Sequence, residues 1–123
     1  MNDPLSRTVI GAAYRVHNQL GFGFLESIYE KALAIELERA NVRFETQVPI
    51  EVFYSGEVIG NFVCDLLIDG SLIVELKSVQ QLVVNHEVQL VNYLNATRTD
   101  SGLLINFGPD KVVTKRKYRR PIP

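Results

Sequence analysis

The segment from Phe62 to Lys77 constrains the fold most, because three charged side chains interrupt two otherwise apolar stretches within it. The two stretches flank Asp69-Gly70, a pair of residues typical of the tight turn between antiparallel strands. The segment therefore predicts a β-hairpin. Burial of a lone charge is costly, so we expect Asp65, Glu75 and Lys77 to be paired, bound to a metal or part of a functional site.

The length of the hairpin loop decides which side chains share a face. A two-residue loop would place Asp65 on the same face as the apolar side chains of the second strand. A three-residue loop over residues 68–70, with Gly70 in the left-handed conformation, separates the charges from the apolar sets. Those sets are Phe62, Cys64, Leu66 and Ile68 on the first strand, and Leu72, Val74 and Leu76 on the second. We predict the three-residue loop, because a buried face selects the register. It pairs Asp65 with Ile73 and places Glu75 on the diagonal, about 7–8 Å away.

Two carboxylates beside a lysine favour a metal site. Carboxylate oxygens are hard ligands that suit Mg²⁺ or Mn²⁺. Lys77 would then orient a water molecule or stabilise a developing negative charge. The alternative, left open by this stretch alone, is a solvated charge cluster in which Glu75 pairs with Lys77.

Length and composition indicate one soluble domain over residues 1–123. The chain has 123 residues, 46% of them hydrophobic, which is enough for one core. Its single cysteine, Cys64, cannot form an internal disulfide and is expected to be buried. No apolar run approaches the ~20 residues of a membrane span, and no signal peptide is visible, so we expect a cytoplasmic protein without a membrane partner.

The charge is distributed unevenly along the chain. Residues 111–123 carry 6 of the 13 basic residues and none of the 14 acidic ones. If this segment is a strand, alternation places Lys115, Lys117 and Arg119 on one face, where they could anchor nucleic-acid phosphates. The alternative is an edge strand whose charges prevent pairing with other chains.

Periodicity predicts the order helix, helix, three strands, helix, strand and a final basic strand. Asp3-Pro4 begins the first helix and Gly21 ends it. The second runs from about Leu25 to Ala40, and its predicted buried positions are Leu25, Ile28, Tyr29, Ala32, Leu33 and Leu37. Asn85 is expected to cap the third helix, whose apolar positions include Val88, Val91 and Leu94 and whose other face carries His86, Gln89 and Tyr93. The apolar run 102–107 predicts a strand covered on both faces, parallel to its neighbour through the third helix.

Gly23, Glu26 and Tyr29 fit the pattern GxxExxY. The chain thereby resembles the small GxxExxY family, which is similar to the PD-(D/E)xK nuclease superfamily. That resemblance covers the first helix through Phe107. It implies an α+β (α/β) fold of the restriction-endonuclease-like kind, with an αβββαβ core and a central mixed sheet flanked by helices.

The resemblance also implies residue roles. Glu26, Asp65 and Glu75 match metal-binding catalytic acids, and Lys77 matches the catalytic lysine. Gln89 and Tyr93 match a QxxxY motif that supports the site and the nucleic-acid strand, with His86 on the same helix face. A departure is Cys64, which stands where the superfamily name predicts proline.

The implied function is hydrolysis of nucleic-acid phosphodiester bonds with Mg²⁺ or Mn²⁺. The alternative is a catalytically silent nuclease fold that binds a nucleic acid or a protein partner, and a homodimer is also left open. Because residues 1–110 are acidic overall, a monomer should bind duplex DNA weakly.

Overall fold

The computed structural model describes residues 3–120 and contains three helices and five strands in the predicted order. The elements are α1 (Pro4–Leu20), α2 (Glu26–Arg39), β1 (Phe44–Tyr54), β2 (Glu57–Ile68), β3 (Leu72–Lys77), α3 (Val84–Thr97), β4 (Ser101–Phe107) and β5 (Val112–Tyr118). One sheet joins the strands in the order β1-β2-β3-β4-β5. Only β3 and β4 are parallel, so the predicted mixed sheet and the parallel crossover through α3 are confirmed. No helix within residues 3–120 combines the length and apolar character needed to cross a membrane.

Helices α1 and α2 cover one face of the sheet. Asp3 caps α1 by accepting a 2.7 Å hydrogen bond from the Ser6 N–H, and Gly21 ends the helix with a φ of 71°. Tyr29 of α2 is fully buried and stacks on Phe107 of β4, with ring centroids 4.3 Å apart. This layer contains most of the core, including the side chains of β3 that alternate with its charges.

Helix α3 covers the opposite face and approaches β4 closely. A Cβ at Gly102 would lie 2.9 Å from Leu90 and 3.1 Å from Leu94, so the glycine permits this contact. Leu90 and Leu94 are the fully buried residues of α3, whereas Val88, predicted to be apolar core, is 48% exposed. The prediction for Val88 was wrong because the helix is rotated to bring Leu90 onto the sheet.

Two features of the helices differ from the sequence prediction: burial along α2 and the start of α3. Leu25 and Ile28 were expected in the buried stripe of α2, but they are 75% and 40% exposed. Burial on α2 is restricted to the positions that face the sheet, Tyr29, Leu33 and Leu37. Asn85 does not cap α3, which begins one residue earlier, at Val84.

The hairpin confirms a three-residue loop but corrects its position. Ile68 pairs with Leu72, so the loop is residues 69–71, and Gly70 has the expected positive φ of 65°. Leu67 pairs with Ile73, which places Asp65 opposite Glu75. The predicted pairing of Asp65 with Ile73 was therefore wrong by two residues, a shift that preserves which side chains share a face.

A bend in the β1–β2 hairpin overturns one further expectation. Phe62 and Cys64 do not share a face with Leu66 and Ile68: the first pair packs with α3, and the second with α1 and α2. The alternation of faces along β2 shifts at Asp65. Asp65 lies opposite Gln47, whose positive φ of 52° interrupts the regular conformation of β1. Cys64 is buried as predicted, but in the α3 layer.

Candidate active site

The candidate site lies where β2 and β3 separate. Their ladder pairs Leu66–Ile68 with Leu72–Val74, and beyond it two carboxylates bridge the strands. Asp65 Oδ2 accepts a 2.8 Å hydrogen bond from the Leu76 N–H, and Glu75 Oε2 accepts a 2.9 Å bond from the Asp65 N–H. The two acids predicted from the sequence are thus brought together, each held by the backbone of the other strand.

Burial makes it unfavourable for both carboxylates of this pair to be charged at once. Glu75 is only 7% exposed. Burial, followed by the negative charge of Asp65, raises the pKa of Glu75 to about 8, while the positive charge of Lys77 opposes the shift. A buried acid beside a half-buried one favours either a shared proton or a cation between them.

Glu30, a residue that the sequence interpretation missed, also approaches the pair. The Gln47 Nε2 group donates to Glu30 Oε1 at 2.5 Å and makes a longer, 3.5 Å contact with Asp65 Oδ1. Burial raises the pKa of Glu30, and the charge of Asp65 adds to that shift. The available signal was its spacing of four residues from Glu26, which places both acids on one side of α2.

Glu26 lies about one helical turn before Glu30, at the N-terminus of α2. It is the first residue of α2, is exposed, and lines a surface depression together with Ser78, the residue after Lys77. Tyr29, the last residue of the GxxExxY pattern, donates its hydroxyl to the Gly21 carbonyl. The tyrosine therefore fastens the loop that leads to Glu26.

Helix α3 contributes Tyr93 to the site's surroundings. Its ring stacks on Phe62 at a centroid distance of 3.8 Å, and burial raises its pKa, with the charges of Glu75 and Asp65 adding to the effect. The other two predicted residues of α3 are Gln89 and His86. Gln89 is exposed, and His86 Nδ1 accepts a 3.2 Å hydrogen bond from the Val83 N–H at the start of the helix.

Several basic residues of β5 and the segment after it are engaged in ion pairs. Lys117 contacts Glu87 at 2.6 Å, and Arg119 contacts Asp100 at 2.8 Å. Lys115 is exposed and lines a pocket of about 300 Å³ that also includes Lys111 and Asp110. Residues 121–123 of the predicted basic segment lie outside the described residues.

Asp65 and Glu75 lie where β2 and β3 separate, a place here called the fork. Their carboxylate oxygens have the chemistry of ligands for a hard divalent cation. Within residues 3–120 no group of three histidine, cysteine or acidic side chains is close enough to hold a metal. Asp65 and Glu75 each use one oxygen for a backbone N–H, and the remaining oxygens are Glu75 Oε1 and Asp65 Oδ1, which Gln47 Nε2 approaches at 3.5 Å. Mg²⁺ commonly binds one or two carboxylates and completes its coordination with water and substrate phosphates, so two acids are within the number of protein ligands that it uses.

Comparisons with known proteins identify the family and the fold. The family model described as the PD-(D/E)XK nuclease superfamily matches residues 3–120. No curated protein matches the chain. A crystal structure titled SSO0001 is similar over 78% of this chain, with a TM-score of 0.63 and 22% identity, and this chain spans 50% of that one. The alkaline exonuclease LHK-Exo from Laribacter hongkongensis is similar over 98% of this chain and 73% of its own, with a TM-score of 0.56 and 13% identity.

Both structural likenesses concern the fold alone, and the family match covers the superfamily as a whole. Membership of the narrower GxxExxY family stays a prediction from the sequence. The residues of the fork lie within the matched range. The chain therefore belongs to the PD-(D/E)XK nuclease superfamily.

Proposed function

We propose that this protein hydrolyses phosphodiester bonds of nucleic acid with the help of Mg²⁺ or Mn²⁺. The observation that carries the proposal is the pair of half-buried Asp65 and buried Glu75, held side by side by backbone hydrogen bonds at the fork. Such a pair favours a shared proton or a positive partner, and carboxylate oxygens are the ligands that these cations prefer. Membership of a nuclease superfamily implies a nucleic-acid substrate.

Asp65 and Glu75 would hold the cation, with Glu30 orienting the site through Gln47. A bound divalent cation lowers the pKa of a coordinated water and offsets charge on the phosphate. The hydrogen bonds from the Leu76 and Asp65 N–H groups restrict the two carboxylates to one arrangement. The ligands are thus positioned before substrate binds, which reduces reorganisation during the reaction.

Lys77 is the proposed catalytic lysine. It follows Glu75 by two residues on β3, so both side chains project from the same face of the strand. Its ammonium group would position the attacking water or stabilise the negative charge that develops as water adds to phosphorus. A proton must finally reach the oxygen that leaves when the P–O bond breaks. Electrostatic contacts of this kind contribute about 10²–10³-fold to a rate.

We propose that fewer residues of the basic segment anchor the phosphates of a nucleic acid than the sequence suggested. Lys117 and Arg119 already form ion pairs, which reduces the positive charge that these two side chains present to a phosphate. We therefore assign the anchoring role to Lys111 and Lys115, which line one pocket. Lys115 pairs with Leu104, which in turn pairs with Glu75, so the anchor lies two strands, about 10 Å, from the fork.

The test is metal-dependent degradation of a panel of single- and double-stranded DNA and RNA. We expect cleavage with Mg²⁺ or Mn²⁺ that stops in EDTA and in the variants Asp65→Asn and Lys77→Ala. Glu51→Gln is the matched control, because Glu51 is an exposed acid of β1 outside the fork. Cleavage that persists in EDTA would refute the metal role.

The same panel separates the alternative function. Binding of nucleic acid without cleavage of any substrate would favour the silent binding module. The single domain, the cytoplasmic location and a homodimer or other protein partner stay predictions from the sequence.

A further inference from the structure

The loop between α1 and α2 exposes an unusual amount of apolar surface. Phe22 is 36% exposed, Phe24 46% and Leu25 75%. These three residues, here called the aromatic ledge, line an open depression of about 620 Å³ together with Glu26 and Ser78. Leu25 is one of the residues that helical periodicity places in the core, so folding leaves a predicted core residue on the surface.

Hydrogen bonds hold the ledge in place. The Phe24 N–H donates to the Tyr29 hydroxyl oxygen at 3.4 Å, and the Phe24 carbonyl accepts a 2.8 Å bond from the Ser78 hydroxyl. The Phe24 ring also packs edge-on against Tyr29, with centroids 6.1 Å apart. The aromatic surface is therefore positioned before any ligand arrives, which lowers the entropic cost of binding.

The ledge adjoins the proposed active site through neighbouring residues of the chain. Ser78 directly follows Lys77, and α2 leads from Glu26 at the ledge to Glu30, about 6 Å further along the helix axis. A substrate whose scissile phosphate lies at Lys77 would therefore bring a neighbouring nucleotide to the ledge. Because the adjoining site is proposed to act on nucleic acid, the ligand expected at the ledge is part of the same nucleic-acid strand.

We propose that the aromatic ledge binds an unpaired base of the substrate, so that the enzyme prefers single strands and overhanging ends to closed duplex. Unpaired bases expose π faces that stack on aromatic side chains regardless of sequence, whereas paired bases already stack on one another. The inference rests on the proposed nuclease function and specifies its substrate class.

The experiment compares the wild-type protein with the double variant Phe22→Leu/Phe24→Leu, which keeps apolar bulk but removes both aromatic faces. Three probes are used: a short single strand, a duplex with an overhang, and a covalently closed circular duplex, which has neither ends nor unpaired loops. For each probe we would measure kcat/KM with Mg²⁺ and the Kd in EDTA. Phe22→Tyr/Phe24→Tyr restores the aromatic faces, and Tyr14→Leu is the matched control because Tyr14 is also 46% exposed but lies within α1.

We expect the leucine variant to lose about tenfold on the two probes with unpaired bases, equivalent to about 1.4 kcal/mol, and nothing on the closed duplex. The tyrosine variant and Tyr14→Leu should behave as the wild type. An equal loss on all probes, or no loss in a variant with a native circular dichroism spectrum, would overturn the inference while the nuclease function stands. A wild-type dimer that the leucine variant abolishes would also overturn it, by making the ledge a contact between copies. A wild-type protein that neither binds nor cleaves any probe would overturn both proposals.

Discussion

Replacing Asn106 by alanine should destabilise the protein and loosen the segment that follows the proposed catalytic lysine. Asn106 is 2% exposed and pairs with Lys77 across the parallel strands β4 and β3. Its Nδ2 group donates to the Val79 carbonyl at 2.9 Å, and its Oδ1 accepts from the Val79 N–H at 3.0 Å. One side chain thus satisfies both backbone groups of a loop residue next to the site.

The expected magnitude follows from these two hydrogen bonds. Each contributes about 0.5–1.5 kcal/mol net, so Asn106→Ala should lower the free energy of unfolding by about 1–3 kcal/mol. The loss is larger if the Val79 groups stay out of contact with water. Activity should fall as well, because the loop that Asn106 holds also includes Ser78. Ser78 follows Lys77 and donates its hydroxyl to the Phe24 carbonyl of the aromatic ledge, so a mobile loop would also loosen Lys77.

Urea unfolding measures the loss, with Asn85→Ala as the control because Asn85 is an exposed residue in the first turn of α3. Phosphodiester cleavage is followed in parallel. A change in unfolding free energy below about 0.5 kcal/mol would refute the reasoning, because two buried hydrogen bonds would then contribute less than the lower limit for one.

Three further outcomes are expected. The hydrogen bond from the Ser6 N–H, followed by the one from Arg116 of β5, lowers the pKa of Asp3 to about 2. The Asp3 carboxylate therefore stabilises the fold above pH about 4, and this stabilisation is lost as the pH falls towards 2. The melting temperatures of wild type and Asp3→Asn should therefore converge between pH 4 and pH 2, because the pKa of this carboxyl is ordinarily 3.8 and is about 2 in the folded protein. A constant difference would contradict this. Burial raises the pKa of the Cys64 thiol to about 12, so a thiol reagent at pH 8 should react only after denaturant is added; rapid reaction of the folded protein would show that the site opens. Neutralising Lys111 and Lys115 should reduce the salt dependence of duplex binding by about 1–2 units of slope, and an unchanged slope would assign the two lysines to edge protection.

The sequence alone determined the order of the elements and the chemistry available at the hairpin. Alternation along β3 places Glu75 and Lys77 on one face whatever the rest of the chain does, because side-chain period is a property of an extended strand. Asp3-Pro4 and Gly21 determine where α1 begins and ends, because capping depends on local backbone conformation. The last basic strand was also predictable, because its alternation continues through charged residues.

Tertiary structure decided what converges at the fork. The bend at Gln47 and Asp65 reverses which residues of β2 face each helix layer, and a periodic pattern carries no record of a point where its phase changes. Glu30 joins the site because the bend brings β1 beside α2, a contact between residues 17 positions apart. Leu25 stays exposed for a related reason: periodicity reports which side chains share a helix face, while only the packed structure determines how far along that face the sheet extends.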